Sequence, residues 1–143
     1  MNKNTMLKDI KHQFFARRNG IVADALRKGG EDYKTIFGLQ VPDIAAISRT
    51  LTQDTALADA LWADTEVRES RLLACYIFPP AEVDFNKALK LAREVRNREE
   101  ADMLGFRLMK RLAFATDVAD TLRTDPDPLM QYMALAIDRH LPD

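Results

Sequence analysis

The stretch LADALWADTEVRESRLLACYI at residues 57–77 returns in altered form as VADTLRTDPDPLMQYMALAI at residues 118–137. Ala58-Asp59 matches Ala119-Asp120, Leu61 matches Leu122, Asp64 matches Asp125, Glu66 matches Asp127 and Leu72 matches Met133. Each copy reads as a helix, a turn and a second helix. A helical pair of this size cannot bury its apolar face alone, so repetition points to pairs stacked in an array that binds something along one surface.

The rest of the chain follows the same helical period. Met6, Ile10 and Phe14 share one stripe of a helix over Thr5 to about Arg18, with Phe15 next to it. Asn19-Gly20 breaks that helix before Ile21–Arg27, and Gly29-Gly30 ends the second one. Pro42 suits the first turn of a third helix, with Asp43 favourable to its dipole and Ile44, Ile47 and Leu51 facing inward. Asp54, Thr65, Asp84, Thr116 and Asp127 are candidate caps for later helices, the last with Pro128 behind it. Asn97 with Glu100 three residues on resembles a capping box, opening a helix through about Ala113. The result is about eight helices in one domain over residues 1–143, all-α, with no alternating runs of Val, Ile and Thr to suggest strands. A closed helical bundle is the other architecture that this pattern allows.

Several chemistries lack their residues. With 47% hydrophobic and 30% charged residues the chain is expected to be globular rather than disordered. No apolar run approaches a membrane span, and the polar start MNKNTMLKDIKHQ lacks a secretory core, so a cytoplasmic location is the expectation. Cys75, the one cysteine, sits in an apolar run and reads as a buried small hydrophobe. No His/Cys/Asp set has zinc-like spacing, Gly29-Gly30 lacks the Lys-Ser/Thr of a phosphate loop, and Ser48 and Ser70 occupy no nucleophile elbow. No metal or cofactor is expected. The formal net charge of −1 gives no bulk attraction to nucleic acid, so any phosphate contact must come from local clusters among the 21 basic residues.

Three such clusters stand out. Arg107, Lys110 and Arg111 fall in one quadrant by their spacing, with Arg93, Arg96 and Arg98 just upstream. Lys8, Lys11, Arg17 and Arg18 make a second group, and Arg68 with Arg71 a third. Lined up on one face, these would track a phosphate backbone; otherwise they are a solvated surface diluted by Glu94, Glu99 and Glu100. Trp62 is either a stacking surface for a base or a packing residue between helices.

Ile36-Phe37-Gly38-Leu39-Gln40-Val41-Pro42 resembles the start of the first conserved repeat of the AlkD-like DNA alkylation repair family. The similarity continues in Leu57-Ala58-Asp59-Ala60-Leu61-Trp62 and in Glu69-Ser70-Arg71-Leu72-Leu73-Ala74, close to that family's Glu-x-Arg-x-x-Ala stretch. The resemblance implies a HEAT-like α-solenoid and a link to enzymes that remove alkylated purines from DNA. Such bases are cationic and their release builds positive charge on the sugar. A carboxylate stabilises that charge, aromatic faces hold the cation and an arginine grips a phosphate.

The carry-over is incomplete. The family's catalytic aspartate follows a tryptophan by four positions; the matching aspartate is Asp102, and Arg98 stands where the tryptophan would be. The family's functional arginine follows a glutamine, and the matching pair is Gln131-Tyr132. The array is also expected to be shorter than in family glycosylases. Three readings follow: a duplex-DNA-binding relative without full catalysis, using Arg68, Arg71, Arg98, Arg107, Lys110, Arg111 and Trp62; a protein-interaction scaffold; and an active glycosylase using Asp102.

Overall fold

In a computed structural model, which describes residues 2–141, a helix begins wherever a side chain or a turn can satisfy its first amide groups. Asn2 caps α1 (Lys3–Ala16) and Asn19 caps α2 (Gly20–Lys28). Gln40 precedes α3 (Val41–Ser48), which carries Pro42 in its first turn. Asp54 caps α4 (Thr55–Ala63) through the Leu57 amide at 2.7 Å. Then come α5 (Arg68–Ile77), α6 (Phe85–Arg93) capped by Asp84, α7 (Arg98–Arg107) capped by Asn97, α8 (Ala115–Arg123), and α9 (Pro128–His140) capped by Asp127. Short 3-10 turns occupy Pro80–Glu82 and Met109–Arg111. Among the described residues the chain is all-helical, with nine α-helices, no strand and one isolated bridge between Thr35 and Val67.

Three boundaries differ from the sequence expectation. α5 starts at Arg68, three residues beyond Thr65, where the Arg68 amide donates to the Thr35 carbonyl and the Thr35 amide to the Glu66 carbonyl in a backbone bridge. Thr116 does not cap α8, which starts one residue earlier as the Ala115 amide bonds back to Leu112. The helix expected to reach Ala113 stops at Arg107. Leu108 and Met109 are adjacent and both fully buried, and a switch to a 3-10 turn lets the two face inward together.

The chain divides into two compact units, Met1–Ile77 and Phe78–Asp143. In the first, α4 packs on α5 and α1, and α3 packs on α5. In the second, α9 packs on α7 and α8, with α6 against both α8 and α9. The two pairs α4–α5 and α8–α9 are the two copies of the sequence echo. In α4 the echo buries Leu57, Ala58 and Leu61; in α8 it buries Val118, Ala119 and Leu122.

The first unit is organised around a buried carboxylate. Glu69 on α5 is fully buried and accepts from the amides of Phe37 (3.0 Å), Gly38 (3.0 Å) and Leu39 (3.3 Å). Arg68 balances it at 2.7 Å and also donates to the Leu39 carbonyl. A charge this deep is tolerable only when its hydrogen bonds are complete, and Glu69 meets that condition with backbone. The loop thus held has Gly38 at φ +86°, where a Cβ would lie 2.1 Å from the Asn19 carbonyl oxygen.

Gly38→Ala is therefore expected to cost more than about 2 kcal/mol, from a left-handed backbone plus a backbone clash. Glu69→Gln, which removes the negative charge beside buried Arg68, is expected to cost about 3–5 kcal/mol. Thermal melts followed by circular dichroism test both; an unchanged melting temperature in either variant contradicts this account of the loop.

Candidate functional site

Residues four apart on α7 share a face, and so do residues seven apart on α9. The first rule places Arg98 and Asp102 together; the second places Tyr132 and Arg139 together. Where the two helices pack, these four side chains form one cluster. The Tyr132 hydroxyl donates to Asp102, within reach of both carboxylate oxygens at 2.8 and 3.0 Å. The Arg139 guanidinium lies 3.7 Å from the same carboxylate. The Arg98 guanidinium stacks 4.7 Å from the centre of the Tyr132 ring, in cation–π geometry.

The cluster is open to solvent: the Asp102 side chain is 44% exposed and that of Arg139 57%. Partial burial raises the Tyr132 phenol above its ordinary range, and the hydrogen bond and charge of Asp102 raise it further, against a smaller opposing effect of Arg139. The folded protein thus holds this proton more tightly than the unfolded chain does. The associated stability is present below the ordinary phenol value of about 10 and is lost as pH rises through the folded value.

Asp102 is the carboxylate picked out by the sequence. Tyr132 stands where the resemblance puts the family's functional arginine, whereas Arg139 is a candidate to which the sequence did not point. The only signal for Arg139 was the face it shares with Tyr132 on α9, which means nothing until α7 is known to lie against it.

The basic residues separate into two kinds. Arg107 on α7 and Lys110 on the 3-10 turn are not in one helical quadrant, because the helix ends between them. The Phe106 ring gathers them instead, with the Arg107 guanidinium 4.6 Å and the Lys110 ammonium 3.9 Å from its centre. Arg111 and Arg98 are exposed.

Arg68, Arg71 and Trp62, expected at a nucleic-acid surface, lie inside the first unit. Arg68 is 3% exposed and engaged with Glu69 and Leu39. Arg71 is 2% exposed; it donates to the Trp62 carbonyl at 2.7 Å and covers the Trp62 ring at 3.6 Å. Trp62 itself is 5% exposed. Buried groups with internal partners cannot meet a phosphate or a base without opening the core, so these three residues serve the fold.

Elsewhere the surface offers less. A hollow of about 310 Å³ in the first unit is lined by Met6, Asp9, Ile10, Gln13, Thr50 and Leu51. It presents one carboxylate and no cation, which does not suit a polyanion. Lys11 and Arg17 of the N-terminal basic group are paired with Asp64 and Asp43. Cys75 is buried and its thiol donates to the Arg71 carbonyl. Among the described residues no three His, Cys, Asp or Glu side chains are grouped to hold a metal ion, and no helix is long and apolar enough to cross a membrane.

Set against models of known families, the chain matches the one described as DNA alkylation repair enzyme over residues 10–141. No curated protein and no solved structure matches it. The chain belongs to the DNA alkylation repair enzyme family.

Replacing Asp102 by Asn removes the negative charge that helps hold the Tyr132 phenol high, weakens the hydrogen bond to it and leaves Arg139, which acts the other way. Phenolate absorbance of the Asp102→Asn protein should therefore develop at lower pH than in the parent. Superimposable titration curves would mean that the Tyr132–Asp102 contact does not exist in solution.

Proposed function

We propose that this member of the DNA alkylation repair enzyme family binds duplex DNA through the cations of its second unit and lacks full base-excision activity. Asp102 carries the argument. Excision of an alkylated purine asks a carboxylate to face a cationic base and a sugar gaining positive charge. Here Asp102 already accepts from Tyr132 and has Arg139 beside it, while Arg98 stands over the adjoining ring. Two guanidinium groups that close repel a second cation and attract an anion. The site thus favours a phosphate over the charge that excision must stabilise. The family match supports a role linked to alkylation repair, and the repeated helical pairs support a HEAT-like solenoid over residues 1–143 as its framework. The lone buried Cys75 is compatible with work in the reducing cytoplasm.

A protein-interaction scaffold remains the second reading. Its support is the apolar surface at Phe15, Ile21 and Val41, which are 56%, 84% and 43% exposed.

Binding of a fluorescent DNA duplex at several salt concentrations tests the first reading. Affinity should fall steeply and linearly on a log–log plot, with a slope near −0.9 for each phosphate contacted. The same protein in large excess over DNA carrying N7-methylguanine should release little or no base. Binding indifferent to salt contradicts phosphate contact. Efficient release abolished by Asp102→Asn would instead establish the glycosylase reading.

A further inference from the structure

Contacts between α7 and α9 advance together along both helices. Asp102 meets Tyr132, Gly105 faces Ala136, and Phe106 packs against His140 with ring centres 4.9 Å apart. The two helices therefore run parallel. A Cβ on Gly105 would lie 3.2 Å from the Ala136 backbone, so the absent side chain is what lets them come this close. Along the line of contact two pairs of cations succeed one another, three of the four set on an aromatic ring. Arg98 lies on Tyr132 and Arg139 on that ring's partner Asp102; Arg107 and Lys110 lie on Phe106.

We propose that this α7/α9 seam is the strand-binding track of the protein, in which Arg98 and Arg139 take phosphates at one end and Arg107 and Lys110 take phosphates at the other. This rests on the DNA-binding reading above and adds the residues that make the contact. Arg139 is a phosphate ligand, and Tyr132, Asp102 and Phe106 are positioning residues that act through the cations they hold.

Two considerations support the assignment. The first is length. From Arg98 to Arg107 the helix advances about 14 Å, which covers about four phosphates of one strand at about 3.4 Å of axial rise each. The second is preorganisation. A long cationic side chain loses about 2 kcal/mol of rotamer freedom when it is fixed on a ligand. Cations already resting on aromatic rings have lost part of that freedom before the ligand arrives. Asp102 has Arg139 beside it and accepts from Tyr132, Asp138 next to Arg139 is tied to Arg123, and the fully buried Glu100 accepts from the Arg96 amide. The seam therefore keeps a positive surplus although the chain as a whole carries −1.

The test compares salt slopes for one fluorescent DNA duplex. The double variant Arg98→Ala, Arg139→Ala should lower the magnitude of the slope by about two units and weaken binding about tenfold or more at low salt. Tyr132→Leu, which removes the platform under Arg98, should lower it by about one unit, and Tyr132→Phe, which keeps the ring, should restore it. Lys90→Ala, an exposed cation on α6 paired with Glu94, should leave the slope unchanged. Circular dichroism reports whether each variant is folded. A folded double variant with the parental slope overturns the track while DNA binding stands. A parent with no salt dependence overturns both.

Discussion

The meeting of Tyr132 with Asp102, which sets the Tyr132 ring under Arg98, is the contact on which the functional reading of this molecule depends. It joins residues far apart in the chain and anchors α9 to α7 beside the close approach at Gly105. It also draws two arginines to one carboxylate, Arg98 through the Tyr132 ring and Arg139 through the carboxylate itself. A carboxylate in that company is a poor counter-ion for a reacting sugar and a good holder of guanidinium groups. On the proposed reading, the residue that by resemblance would do the chemistry is instead one that arranges cations.

The two units use buried carboxylates in a related way. Glu69 in the first gathers three consecutive amides of the loop before α3, and in the second the fully buried Glu100 accepts from the Arg96 amide while its own amide donates to Asn97. In both, a negative side chain takes backbone donors that would otherwise be stranded at a helix start. The family-like segments 36–42 and 69–74 are the two halves of the Glu69 arrangement.

What was legible in the sequence follows from the range of each interaction. The caps at Asp54, Asp84, Asn97 and Asp127 act within three residues of themselves, and they stand where the residues placed them. The helical pairs at residues 57–77 and 118–137 were legible for the same reason, since periodicity is local. The burial of Arg68 and Arg71 was not. Their partners are the Leu39 and Trp62 carbonyls and the Glu69 carboxylate, and no spacing rule distinguishes an arginine with internal acceptors from a solvated one. Asp102 was found by resemblance, which also set Tyr132 at the family's arginine position, but that Tyr132 and Arg139 meet Asp102 emerged only once α7 and α9 were seen to be neighbours. The end of α7 at Arg107 was missed because Leu108 and Met109 compete for the same interior, a matter of packing rather than of propensity.

On the proposed reading, the cations around Asp102 turn this site toward the DNA backbone and away from the damaged base. The measurement that bears on it most directly is the ratio of affinities for two duplexes of one sequence, one undamaged and one carrying a single N7-methylguanine. The account predicts a ratio near one, because a backbone contact does not sense the lesion. A preference of tenfold or more for the methylated duplex would contradict it.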